Sequence, residues 1–210
     1  MLKTIIFDCD GVMFDSRDTN REYYNFLLQS FGHGKMDDNE LEYVHTHNVY
    51  DSIEHIFRHY PQQDLDAVHS HRAASSYIPF LRFMRMEPDL RTFLEATHNR
   101  YNLAIATNRT NTIVPLLAEF DLTDYFAKVM TADNARRPKP AADPLLEIID
   151  FFGCTIDESI YIGDSEIDEK TAENCNMRLI AFKNSSLNAA YHVNSFTEIL
   201  TLPPLLATER

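Results

Sequence analysis

The sequence, 210 residues long, is short of cysteine, of basic residues and of long apolar runs, and each shortage narrows what the chain does. Its cysteines, Cys9, Cys154 and Cys175, are three and lie far apart. That spacing gives neither an even disulfide framework nor a pair of metal ligands, so a reducing compartment, the cytoplasm, is expected. Lys and Arg number 19 against 32 Asp and Glu, a formal charge of −13. Nucleic-acid backbones are held by clustered Lys and Arg, and the only cluster here is Arg136, Arg137 and Lys139, so no nucleic-acid partner is expected. No apolar stretch approaches the roughly 18–20 residues that span a bilayer, so no membrane partner is expected either. At the N-terminus Lys3 is followed by Ile5-Ile6-Phe7 and then directly by Asp8, which leaves no room for a signal region of about 7–15 apolar residues. Internal repeats and low-complexity segments are absent.

What is present is a series of short, continuously apolar runs, each stopping at polar residues. They are Leu2 to Phe7, ending at Asp8; Leu103 to Ala106, ending at Thr107-Asn108; Lys128 to Met130; Ile160 to Ile162, ending at Gly163-Asp164; and Arg178 to Phe182. Continuous rather than alternating apolarity suits strands of a parallel sheet covered on both faces. Between them, apolar residues recur at spacings of three and four: Leu90, Phe93 and Leu94; Ile113, Leu116, Leu117 and Phe120; Leu145, Ile148, Ile149 and Phe152. The alternation predicts an α/β fold built on a doubly wound parallel sheet, whose ligands sit beyond the carboxyl ends of the strands. Residues 16–84 break the pattern, with helical spacings and no strand, and read as an inserted small helical domain. The core is then 1–15 with 85–210. Within the insertion Pro79 is expected to kink or end a helix, while Pro88 suits the first turn of the next core helix.

The polar residues at the strand ends are the candidates for chemistry. Asp8 and Asp10 are two apart, so on an extended backbone both carboxylates project to one side. Such a pair suits a divalent cation or an acid/base role, and equally an ordinary solvated strand end. Asp164 and Asp168 are spaced to stack on one face if the segment enters a helix; hard oxygen ligands of this kind suit Mg²⁺, and the same residues, with Ser165, would also cap a helix N-terminus. Thr107-Asn108 offers a hydroxyl and backbone N–H groups to an anion, or simply a cap. Lys139 lies between Pro138 and Pro140, which restrict the backbone that would aim its charge. All of these motifs fall on the same edge of the expected sheet.

Phe7-Asp8-Cys9-Asp10-Gly11-Val12-Met13-Phe14-Asp15-Ser16 resembles the first motif of the haloacid dehalogenase (HAD) superfamily, in its phosphatase branch. Thr107-Asn108 resembles the second motif, Lys139-Pro140 the third, and Gly163-Asp164-Ser165-Glu166-Ile167-Asp168 the fourth. The four occur in the family's order and the resemblance spans essentially the whole chain, including a helical cap inserted after the first motif. In pattern the chain is most similar to phosphoglycolate phosphatase-like and β-phosphoglucomutase-like members.

The resemblance implies a Rossmann-like core and a phosphatase acting on a small phosphorylated metabolite. Asp8 would be the nucleophile that forms an aspartyl-phosphate, and Asp10 the acid/base that protonates the leaving alkoxide and then deprotonates water. Mg²⁺ would be held by Asp8, the backbone carbonyl of Asp10 and Asp164. Thr107, the Asn108 backbone N–H and Lys139 would bind the phosphoryl group, with Asp168 and Ser165 behind them orienting the metal carboxylates or Lys139. A carboxylate attacking an anionic phosphate needs its repulsion cancelled, and one Mg²⁺ and one Lys supply that locally despite the overall negative charge. A phosphosugar mutase would use the same residues. A non-catalytic binding module would be expected to lack some of Asp8, Asp10, Lys139 and Asp164.

The insertion is expected to close over the site and select the substrate. It is acidic, with six Lys and Arg against ten Asp and Glu, and holds seven of the nine histidines: His33, His45, His47, His55, His59, His69 and His71. His55 and His59 have the spacing of a helical zinc pair but no Cys or Glu at zincin-like spacing, so surface or capping roles are the expectation. Val44 to Tyr50 resembles the family's specificity loop, with Thr46 where relatives commonly carry Gly. By that resemblance His45, His47 and Asn48 would contact the leaving group.

Overall fold

A computed structural model of the chain describes residues 1–47 and 49–206. The chain divides into two compact units, one formed by Met1–Phe14 with Met86–Arg210 and the other by Asp15–Arg85. The first unit carries β1 (Thr4–Phe7), and the chain leaves it through β2 (Phe14–Asp15). The second unit is helical: α1 (Arg17–Ser30), α2 (Asp38–Thr46), α3 (Val49–Phe57), α4 (Leu65–Ala74) and a 3₁₀ segment over Ile78–Phe83. The chain returns through β3 (Arg85–Met86), which pairs with β2 in a two-stranded sheet. There follow α5 (Leu90–Thr97), β4 (Asn102–Ala106), α6 (Ile113–Glu119), β5 (Lys128–Met130), α7 (Asp143–Phe152), β6 (Ser159–Gly163), α8 (Glu166–Glu173), β7 (Arg178–Phe182), β8 (Tyr191–Val193), α9 (Phe196–Ile199) and α10 (Pro203–Leu206).

The main sheet has six strands in the order β5-β4-β1-β6-β7-β8, and every neighbouring pair is parallel. From β1 the chain builds outward to β4 and β5, then crosses back to β6 on the other side of β1. This reversal places a crevice at the carboxyl ends of the central strands, the usual ligand position in open α/β sheets. Burial on both faces explains the continuous apolar runs. Ile6, Ala104, Ala106, Tyr161, Leu179 and Ala181 share one core cluster with Leu145, Ile148 and Ile149 of α7 and Ala172 of α8. The alternate residues face the opposite way: the Phe7 ring meets Phe93 of α5, Phe126 and Phe196 of α9 with centroids 5.9, 5.6 and 6.0 Å away. Phe7 is fully buried, and burial of such a side chain contributes roughly 1.5–3 kcal/mol. The structure is thus the doubly wound α/β sheet read from the sequence.

Several details differ from the sequence reading. β8 was not anticipated, since three residues, Tyr191–Val193, give too little pattern to register as a strand. Pro79 neither kinks nor ends a helix. α4 has already stopped at Ala74, and Pro79 is the second residue of the 3₁₀ segment, in its first turn, where a missing N–H costs nothing. Pro88 lies just outside α5, ahead of its N-cap Asp89. In the helical unit the apolar spacings produce one core: Tyr23, Leu27 and Leu28 of α1 pack with Leu41 and Val44 of α2, Ile53, Ile56 and Phe57 of α3, and Val68 of α4. An Asp37–Glu40 capping box starts α2 and Asp64 caps α4. The histidines of this unit engage mainly in ring contacts. Tyr43 lies between His47 and His55 at centroid distances of 3.8 and 3.7 Å, and His33 stacks on Tyr60 at 3.7 Å. Among the described residues no helix is long and apolar enough to cross a membrane.

Candidate active site

Asp8 is the first residue beyond β1, and its N–H donates to the Ile162 carbonyl of β6 at 2.8 Å, which fixes where the side chain starts. The next turn is tight. Gly11 has φ +78°, and a Cβ there would come within 1.9 Å of the Asp164 carboxylate. Glycine is therefore required twice over, for the left-handed backbone and for room beside Asp164. Gly163 serves similarly at the end of β6, where a Cβ would fall 2.3 Å from that of Asp168.

Lys139 holds the centre. Its ammonium donates to Asp8 Oδ1 at 2.7 Å, to Asp168 Oδ1 at 2.7 Å and to the Tyr161 hydroxyl at 3.0 Å. These three contacts match its three protons. Asp168 is fully buried and fully occupied: Oδ1 also accepts from the Tyr161 hydroxyl at 2.6 Å, while Oδ2 accepts from Ser165 Oγ at 2.6 Å and from the N–H groups of Ser165 and Asp164 at 3.1 and 3.2 Å. Asp168 is the third residue of α8 and closes a capping box with Ser165. The cap and the charge network are thus the same residues doing both things. Asp164 precedes the helix and so does not stack over Asp168 on a helical face; the chain turn brings the two together instead. The Asp164 carbonyl is held from the other side by Asn184 Nδ2 at 2.8 Å.

The electrostatics follow from one buried cation among several carboxylates. Burial pushes the Asp8 carboxyl up to about 8, helped by Asp168 and opposed by Lys139. Burial likewise raises Asp164 to about 7, with Asp168 adding to it. Burial also pushes on Asp168, but Lys139, Ser165 and Tyr161 outweigh it and hold that carboxyl below its ordinary value. For Lys139 burial opposes the charge, and Asp8 and Asp168 prevail and raise it. The cluster is short of positive charge at Asp8 and Asp164, not at Asp168. Carboxylate oxygens of Asp8, Asp164 and Asp168 lie within 4.8 Å of one another. This hard-oxygen donor set fits a divalent cation, and since Asp168 is saturated, Asp8 and Asp164 are the side chains with capacity to hold it.

At the end of β4 the Thr107 N–H donates to the Met130 carbonyl at 3.0 Å, and its hydroxyl oxygen accepts from the Arg109 N–H at 3.1 Å, which leaves the hydroxyl proton to be donated. Asn108 turns its side chain away from an anion role: Nδ2 donates to the Lys139 carbonyl at 3.1 Å and ties the loop of Lys139 to this strand end. Asp10 is clasped by Arg109, Nε to Oδ2 at 2.7 Å and Nη2 to Oδ1 at 2.6 Å.

The structure therefore gathers Asp8, Lys139, Asp164, Ser165 and Asp168 into one connected cluster, with Thr107, Asn108 and Asp10 on the adjoining strand ends. In the helical unit His47 Nδ1 contacts the Tyr43 carbonyl at 2.9 Å and His45 Nδ1 lies 3.4 Å from Asn20 Nδ2; Asn48 lies outside the described residues. Sequence reasoning missed Arg109, Tyr161 and Asn184. Tyr161 had a usable signal, since it sits two residues before Gly163 on a strand and so faces the same way as the strand's terminal turn. Arg109 adjoins the Thr107-Asn108 motif but pairs with a residue 99 positions away.

The haloacid dehalogenase-like hydrolase family matches this chain over residues 5–182. Phosphoglycolate phosphatase of Aliivibrio fischeri is 26% identical over 185 residues, covering 82% of this chain and 80% of the relative. That of Rhodobacter capsulatus is 26% identical over 220 residues, covering 98% and 97%. Among solved structures, a HAD-superfamily hydrolase of subfamily IA, variant 1, from Geobacter sulfurreducens is similar with a TM-score of 0.88, 32% identity and 95% of each chain covered. With the strand-end motifs assembled and the family matched over most of its length, the chain belongs to the haloacid dehalogenase-like hydrolases, as an enzyme related to their phosphoglycolate phosphatases.

Proposed function

We propose that the chain is a Mg²⁺-dependent phosphatase that hydrolyses a small phosphorylated metabolite through a phosphoaspartate at Asp8. The observation that carries this reading is the Lys139 ammonium shared between Asp8 and Asp168 at the sheet crevice, with Asp164 alongside. A nucleophilic carboxylate needs a fixed position, a neighbouring cation and an adjacent proton donor, and this arrangement provides the first two in a buried setting where they act most strongly.

In the first step an Asp8 oxygen forms a bond to phosphorus as the ester oxygen departs, and Asp10 delivers its proton to that oxygen. In the second, water attacks the phosphorus of the acyl phosphate and gives its proton to Asp10, and the Asp8 carboxylate leaves. Lys139 offsets the charge that gathers on Asp8 and the phosphoryl oxygens, with Asp168, Ser165 and Tyr161 keeping the ammonium in place. The Thr107 hydroxyl and the Asn108 N–H take the phosphoryl oxygens. Asp8, Asp164 and the Asp10 carbonyl would hold Mg²⁺, which supplies the remaining neutralisation when bound.

The test is phosphate release from a panel of small phosphate esters, with and without Mg²⁺, by the wild type and by Asp8→Asn. Turnover that requires Mg²⁺ and is lost in Asp8→Asn supports the reading. No release from any ester by a folded, Mg²⁺-binding protein refutes it, and isomerised sugar phosphate without net release would make the enzyme a mutase.

A further inference from the structure

Asp10 is placed for acid/base work, yet both of its oxygens are engaged by one guanidinium, at 2.6 and 2.7 Å. A carboxylate held in that way is turned toward Arg109 and is not directed at a leaving group. The pair must open for the proposed reaction to proceed. The Arg109 side chain is largely enclosed, 10% exposed, where its charge acts strongly on an anion that reaches it. The planar guanidinium fork accepts a phosphate as readily as a carboxylate.

Three features place that anion within reach. Arg109 directly follows Thr107 and Asn108, the residues at which a phosphoryl group is expected. Its main chain is tied there, the N–H to Thr107 Oγ1 at 3.1 Å and the carbonyl to the Ala132 N–H at 3.1 Å. Its Nη1 donates to Thr112 Oγ1 at 3.2 Å, a contact three residues along its own loop. Lys139, the other cation of the site, is committed to two carboxylates and the Tyr161 hydroxyl. Asp10, by contrast, is 39% exposed at its side chain and free to rotate once released.

We infer that Arg109 is an exchange residue for phosphate monoesters. In the substrate-free site it is held by Asp10; an arriving phosphate dianion displaces that carboxylate from the guanidinium, so the event that fills the site also frees Asp10 to take a proton from solvent and turn toward the leaving oxygen. The inference rests on the phosphatase reading for the role of Asp10, but the binding step can be measured without turnover.

The experiment is titration of inorganic phosphate, in the presence of Mg²⁺, into the wild type, Arg109→Ala, Arg109→Lys and Asp10→Asn, followed by calorimetry. Exchange predicts at least tenfold weaker binding in Arg109→Ala and a smaller loss in Arg109→Lys, whose point charge cannot make the forked contact. It also predicts that Asp10→Asn binds phosphate as tightly as the wild type or tighter, because the competing carboxylate is gone. If the ion pair only braces the site, Asp10→Asn and Arg109→Ala weaken phosphate alike, and that result overturns the inference. Equal affinity in all four proteins, or no binding in any, overturns it as well. Failure of the phosphatase reading is recorded separately, by absence of phosphate release from esters by the wild type.

Discussion

At the level of single residues, the hydroxyl of Tyr161 is the least obvious part of the site. It accepts from Lys139 and donates to Asp168 Oδ1, and the donor and acceptor capacity of a phenol is used in full. Tyr161→Phe would leave one Lys139 proton and one Asp168 lone pair without a partner in a buried network. The expected cost is ~1–3 kcal/mol of stability, from the desolvation of groups left unsatisfied. The reaction should slow by ~10-fold in kcat with KM little changed, because Lys139 keeps its charge and loses its fixed position. Urea unfolding and steady-state kinetics on the variant check both; full activity with full stability would remove Tyr161 from the account. Asp8 and Asp164 were legible in the sequence because each stands where an apolar run stops, Asp168 through its spacing of four from Asp164, and Lys139 through the prolines on either side of it. The partners Arg109 and Tyr161 were not, since hydrogen bonds between residues far apart in the chain leave no periodic trace.

At the level of elements, short turns carry the precision of the site. The turn after β1 depends on Gly11, and Gly11→Ala would force a methyl group into the Asp164 carboxylate while imposing a side chain on a backbone at φ +78°. We expect a loss of ~1–3 kcal/mol from backbone strain and a fall of at least ~100-fold in kcat, since a displacement of about 1 Å among reacting groups has that effect. Thermal melts and kinetics measure the two parts, and a variant of normal activity would show that Asp164 need not stand where it does. Of the elements themselves, β5 and β7 were read from the sequence with their observed limits, Lys128–Met130 and Arg178–Phe182, because a buried parallel strand shows an unbroken apolar run. β2 and β3, two residues each, and β8 carry too few positions for any pattern. Asp164 and Asp168 illustrate a different gap. Their spacing of four suggested one helical face, whereas Ser165 as N-cap starts the helix only at Glu166. The sequence period was right for a helix and silent on where the helix begins.

For the whole molecule, the formal charge of −13 and an anionic substrate are compatible because the catalytic unit brings Lys139 and Arg109 to the strand ends of a parallel sheet. The buried carboxyls tie this site to overall stability. Asp8 and Asp164 have proton affinities raised on folding, to about 8 and about 7. The folded state thus binds more protons than the unfolded state between their ordinary range near 4 and those values, and stability falls as pH rises through that window. Melting temperature without divalent cation should therefore drop from about pH 5 to about pH 8. Mg²⁺ competes with those protons, so its stabilising effect should be larger at the higher pH. A melting temperature that is flat over this window, with or without Mg²⁺, would contradict the assignment of Asp8 and Asp164 as the groups short of positive charge. The central claim, that the phosphoryl group passes through Asp8, is tested most directly by acid-quenching the enzyme during turnover of a hydrolysed ester and mapping covalent phosphate by mass spectrometry. The account predicts a hydroxylamine-sensitive acyl phosphate on Asp8 that is missing in Asp8→Asn; turnover with protein-bound phosphate on another residue, or with none at any quench time, would contradict it.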